Sequence, residues 1–275
     1  MGFDFKGMAL QGAAMATGVG SIAAGATLAV NALKQGITTT MEFNKSQSVL
    51  QAVTGKSASQ LSELTDQALE LGAKTMYSAS QIAGLQIELA KLGFDPTQIK
   101  KMTEHIQNFA TAVGTDLSSA ASLAGATLRM FGLEADETQR VADVLSKGCS
   151  ASALSFEYLN SAMSTIAPVA NAFGLTLEDT TGLLGVLANA GFDASSAATA
   201  GRNIILNLAD ANGKLAQAFG KPVKSGTELM DALKELRNRG IDLGEALELT
   251  DKRSVAAFNT LLDGAESGKQ LITTF

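Results

Sequence analysis

Few residues in this chain have the types and spacing that chemistry requires. Gly55-Lys56-Ser57 copies the end of a phosphate-binding loop, where the lysine reaches phosphates and the hydroxyl reaches magnesium. The complete loop also needs a glycine five residues earlier, where Leu50 stands, and a preceding strand. Ser57 instead heads a capping box with Gln60, so the triplet reads as a helix stop and start. His105 is the single histidine, so a histidine-based metal site or triad lacks its partners. It falls beside the stripe Ile99, Met102, Ile106, Phe109 and Val113, which predicts a solvated ring. Cys149 lies in Gly148-Cys149-Ser150-Ala151-Ser152, read as a small-residue loop with no basic cluster to activate a thiolate. A single cysteine excludes an internal disulfide and fits a reducing compartment. The carboxylates Glu63/Asp66, Glu134/Asp136/Glu137 and Glu178/Asp179 fall in first turns or on polar faces, where they favour helix N-termini. No local pattern supports a glycosidase pair, which forms in space rather than in sequence. Lys234, Arg237 and Arg239 end a helix, where positive charge is favoured. The sequence assigns no catalytic, cofactor-binding or metal-binding residue and calls for no cofactor.

The elements that would position any site are announced by six junctions. Four read glycine, bulky apolar, acid: Gly93-Phe94-Asp95, Gly132-Leu133-Glu134, Gly191-Phe192-Asp193 and Gly240-Ile241-Asp242. Two looser copies are Gly114-Thr115-Asp116 and Gly174-Leu175-Thr176. The glycine ends one helix in the left-handed conformation, the next residue folds back, and the Asp or Thr caps the following helix. Capping boxes at Ser57/Gln60 and Ser78/Gln81, and Pro96 after Asp95, mark further helix starts. Helical stripes continue to Val255–Leu262, and no segment alternates as a strand does. Pro168 interrupts the stripe Phe156–Phe173, predicting either a kink or a helix end near Ile166.

Composition agrees. Of 275 residues, 46% are hydrophobic but only 5% aromatic, with no Trp, so the core is Ala, Leu, Ile and Met. The 27 Gly against 3 Pro leave helix termination to glycine. The net charge of −6 argues against a general nucleic-acid grip, which needs clustered Lys and Arg. The expected fold is all-α: Gly-punctuated helical hairpins and a bundle, with an extended Gly/Ala-rich N-terminal helix.

That N-terminal helix is expected over Gly7–Leu33, which carries no charge and would reach about 40 Å, enough to cross a bilayer. Its residues are small rather than greasy. Gly12, Ala16, Gly20 and Ala24 form a ridge at spacing four, suited to tight pairing of helices, including self-association in a coiled-coil-like manner. Membrane insertion is the second reading of this segment. The expected domains are 1–56, an apolar N-terminal segment, and 57–275, a helical core subdivided near 211–226.

The ordered run from Met41-Glu42-Phe43 through Thr54-Gly55, Leu71-Gly72 and Leu89-Ala90-Lys91-Leu92-Gly93-Phe94 resembles the core region of phage tail tape-measure proteins. The likeness continues at Ala112–Leu117, Phe131-Gly132-Leu133 and Val141–Leu145. It is densest at Ala167-Pro168-Val169-Ala170-Asn171-Ala172-Phe173-Gly174 and Leu187-Ala188-Asn189-Ala190-Gly191-Phe192. It covers roughly Thr39 to Leu262. The resemblance implies a non-enzymatic virion protein, lodged in the tail lumen and made in the host cytoplasm, that acts in tail assembly and length determination. It implies contacts with tail tube, assembly chaperone and baseplate proteins, and with the host inner membrane on infection. A fully helical chain of this size spans at most about 410 Å, and its many helix stops shorten that. The sequence is therefore expected to be part of, or a short relative of, a longer protein. The alternative function is a membrane-active helical protein that inserts residues 7–33 to assist DNA passage.

Overall fold

The computed structural model describes residues 39–220 and 222–275, so the expected N-terminal helix over Gly7–Leu33 lies outside the described residues. The chain divides into two compact units, with the boundary between Ile87 and Glu88. Among the described residues every regular element is helical and no strand occurs.

The first unit contains α1 (residues 39–54), a 3-10 turn at Ala58–Leu61, α2 (Ser62–Lys74) and the start of α3 (Ala79–Lys91). Leu50, Leu61, Leu64, Ala68, Ile82 and Leu85 are fully enclosed in its core. A buried amide ties two of its helices: Gln86 Nε2 donates to the Leu64 carbonyl at 3.1 Å. The foreseen box at Ser78 forms in full, with Gln81 Oε1 accepting from Ser78 N at 2.8 Å and Ser78 Oγ accepting from Gln81 N at 3.2 Å.

The second unit continues with α4 (Pro96–Val113), α5 (Leu117–Phe131), α6 (Thr138–Ala151), α7 (Phe156–Phe173), α8 (Leu177–Asn189) and α9 (Ala194–Ala209). Shorter helices follow: α10 (Lys214–Phe219), α11 (Gly226–Asn238), α12 (Leu243–Leu249), α13 (Val255–Asp263) and α14 (Ala265–Thr274). Helix α8 is the hub. It is buried continuously from Asp179 to Ala188 and is packed by α6, α7, α9, α11, α13 and α14. From Gly182 to Ala188 every residue is apolar, and a helix apolar all round suits only such a central place.

All six foreseen corner glycines have positive φ, from 65° at Gly132 to 97° at Gly174. Five corners close with the same bond, in which the residue after glycine donates to the carbonyl five positions back: Phe94 to Leu89, Thr115 to Ala110, Leu133 to Leu128, Leu175 to Ala170, and Phe192 to Leu187. The caps follow. Asp95 accepts from Thr97 N and Gln98 N, Asp116 from Ser119 N, Thr176 from Asp179 N, Asp193 from Ser196 N and Asp242 from Glu245 N.

Glu134 breaks the pattern. It makes no cap bond, and a 3-10 turn at Ala135–Glu137 intervenes before α6. Its extra methylene carries the carboxylate beyond the position from which an Asp reaches the second or third N–H. Pro168 breaks nothing: α7 runs as one helix through it. Both Pro168 and Ser164, whose carbonyl loses its donor, are exposed, so water can take the bond that the proline cannot supply.

Candidate functional site

The residues singled out for chemistry are dispersed, and most are explained by folding. Gly55 has φ 66° and closes α1, while Gln60 Oε1 accepts from Ser57 N at 3.0 Å. The triplet Gly55-Lys56-Ser57 thus joins two helices, as read from the sequence.

His105 is half-buried rather than solvated. It lines a small groove of about 230 Å³ between α4 and α6, with Asn108, Gln139, Asp143 and Ser146 among its neighbours. The stripe places the ring correctly at the edge of the apolar face. The sequence of α4 alone does not show that α6 packs alongside that edge.

Cys149 is a second correction. Gly148 to Ala151 belong to the last turn of α6, not to a loop. A Cβ on Gly148 would meet Thr181 Cγ2 at 2.7 Å, so the small residues let α6 lie close on α8. Burial pushes the Cys149 thiol up to about 11, and the nearby Glu157 charge adds to the shift. A protonated thiol is a poor nucleophile.

The carboxylates are drawn into structure. Arg140 Nε donates to Glu178 Oε1 at 2.7 Å and Nη2 to Glu178 Oε2 at 2.9 Å, while Nη1 donates to Glu137 Oε2 at 2.6 Å. Burial is the largest single influence on Glu178 and opposes its ionisation, but the bonds and charge of Arg140, with a backbone N–H and the Thr176 hydroxyl, together outweigh it and hold the carboxyl below its ordinary range. This fork fastens the start of α6 to the start of α8. Asp136 pairs with Lys101 of α4 at 2.6 Å. Asp179 is buried, and its Oδ2 accepts from Thr176 N at 3.0 Å. A Cβ on Gly226 would meet Asp179 Oδ1 at 2.5 Å, so this carboxylate also faces the first turn of α11, where negative charge is favoured. Among the described residues no group of three or more His, Cys, Asp and Glu is placed to hold a metal ion.

What the fold does bring together is the family-like segments. Asn171, inside the densest stretch of likeness, donates through Nδ2 to the Met130 carbonyl at 3.1 Å and so serves the end of α5. Asn189 Oδ1 accepts from Ala153 N at 2.7 Å and braces the loop between α6 and α7. Arg129 lies over the Phe94 ring, 4.0 Å from its centre, linking two corners. These cross-braces were not legible locally, because each joins positions some forty residues apart.

A second groove, of about 630 Å³, is lined by Val169 and Phe173 of α7, Ile205 and Leu206 of α9, Phe219 of α10 and Val223. None of the residues read as chemical lines it.

The profile of the family described as phage-related minor tail protein matches residues 65–252. The chain is 34% identical over 168 residues to a tape measure protein of Pneumococcus phage Dp-1, covering 61% of this chain and 15% of that protein. It is 34% identical over 201 residues to a probable tape measure protein of Escherichia phage P2, covering 72% of this chain and 24% of that one. The chain thus spans less than a quarter of the length of these relatives. No solved structure matches it.

Proposed function

Because the chain belongs to the phage-related minor tail protein family, we propose that it is a tape-measure-type structural protein that acts in tail assembly through protein contacts rather than catalysis. The observation that carries this reading is the coincidence of the family match with the corner-and-cap framework: residues 65–252 span helices α2 to α12, including all six foreseen junctions. Both relatives are named for tape measurement, and both are several times longer than the matched segment. Length determination would then belong to a longer protein, with this segment as its folded block. Tail tube, assembly chaperone and baseplate proteins are its expected partners, and the tail lumen its site.

The reading rests on surfaces, because the residues with chemical potential are engaged in caps, pairs and packing. Insertion into the host membrane depends on residues 7–33. No described helix is long and apolar enough to cross a membrane, and nothing favours that alternative. A nonsense codon at Ser57 in the phage or prophage tests the proposal. Electron microscopy of the lysate should show heads without tails, or tail tubes of unregulated length. Tails of normal number and length would overturn it, as would failure to find peptides of this chain in purified tails.

A further inference from the structure

Helices α11 and α14 run antiparallel and are joined by a ladder of three exposed ion pairs: Asp231 with Lys269 at 2.8 Å, Lys234 with Glu266 at 2.5 Å, and Arg237 with Asp263, the last residue of α13, at 2.8 Å. The sequence alone explains Lys234 and Arg237 as charges near a helix end. The fold gives them partners about thirty residues away.

The order of signs fixes the register. Sliding α14 by one turn in one direction sets Asp231 against Glu266. Sliding it the other way sets Lys234 against Lys269. Each slip replaces three opposite pairs by one like pair and at most one opposite pair, Lys234 with Asp263 or Arg237 with Glu266, so the ladder disfavours both.

The apolar attachment of α14 is slight. It buries Ala265, Gly268, Leu271 and Ile272 only. Ile272 fits where a Cβ on Gly182 would meet its Cγ1 at 2.5 Å, and Leu271 fits over Gly185 at 3.1 Å. Gly268 lies against Met230 and Val186. By contrast α13 fully encloses Phe258 and Leu261. Helix α14 therefore covers the hub helix with few large side chains and is held in line by charges that water and salt can screen.

We propose that α14 is a salt-latched strap, seated in one register, that opens as a unit before the rest of the second unit and uncovers the face of α8 formed by Gly182, Gly185 and Val186. The ion pairs select the register, and the notches at Gly182 and Gly185 receive the strap. Opening costs little apolar burial compared with the release of α13 or α9.

Amide hydrogen exchange on the full chain tests this. Raising salt from about 0.05 M to about 1 M shortens the screening length to about 3 Å. Exchange in α14 should quicken several-fold, with α4 and α7 unchanged. Lys234→Glu should quicken it at low salt, and the double variant Lys234→Glu with Glu266→Lys should restore the slow rate. Exchange of α14 in step with α7 at both salt concentrations would overturn the proposal. So would a Lys234→Glu chain with unchanged α14 exchange, or one that loses its fold throughout, since a latch that acts alone leaves α4 to α9 intact.

Discussion

The stretch α4–α9 and the stretch α10–α14 use the same junction types but are held together differently. In the first, helices of 13 to 18 residues, four of the six closed by the corner motif, are braced by Asn171, Asn189 and Arg140. In the second, helices of 6 to 13 residues leave Leu243 65% exposed, bury Leu229, Leu233, Phe258 and Leu261, and add surface ion pairs from α11 to α13 and α14. Even the shared corner differs: Gly240 has φ 76°, yet its own N–H bonds Arg237, without the further bond seen at the five earlier corners. The comparison teaches that glycine and cap decide where a helix turns, while cross-bracing decides how firmly the turn is held.

The sharpest way to break the comparison is to damage the point where the two stretches meet. Gly182→Val would drive a branched side chain into Ile272 of α14. Overpacking of this kind costs about 1–3 kcal/mol. Thermal melts should show a lower midpoint, and exchange should show α14 released first. Equal loosening of α7 would mean that the strap and hub are not separable.

A smaller effect is expected from the corners themselves. At Gly191, φ 86° demands the left-handed region, although a Cβ there meets no atom within 4 Å. The cost of Gly191→Val is therefore backbone strain, about 1–2 kcal/mol. The same strain applies to Gly240→Val. If the stretches differ as described, Gly191→Val lowers the melting midpoint of the whole unit, whereas Gly240→Val shows mainly as faster exchange in α11 and α12. Identical responses would erase the distinction.

The smallest perturbation uses Cys149 as a reporter inside the better-braced stretch. Its raised value means that less thiolate is present at any pH below about 11 than in an ordinary cysteine. Thiol labelling at pH 8 should be slower than for an exposed thiol by on the order of a hundredfold. The rate should keep rising with pH toward that value. Labelling at the ordinary rate would show that α6 opens readily from α8.

The corners were legible because the information for each lies in about six consecutive residues: a glycine that can take positive φ, a following apolar residue and a short polar cap. Glu134 shows the limit of that reading, since side-chain length decides whether an acid reaches the backbone. Gly148, Gly182, Gly185 and Gly201 were not legible as packing contacts. Nothing near Gly201 in sequence reveals that a Cβ there would meet Ile166 Cδ1 at 2.7 Å. The same holds for the groove beside His105 and for the ladder from Asp231 to Lys269, whose partners are set by topology. For the candidate site, sequence correctly assigned Gly55-Lys56-Ser57 to a helix junction, while the surroundings of His105 and Cys149 needed the fold.

The corner motif also bears on how such a chain is made. Each corner can close as soon as its own few residues have left the ribosome, without waiting for distant sequence, and contacts of this local kind are the quickest to form. Helices α4 to α9 can therefore settle while synthesis continues. During that interval the notches at Gly182 and Gly185 stand open, and they are filled only when Leu271 and Ile272 emerge. Of the described helices, α14 is made last, and it is the one that closes over the hub.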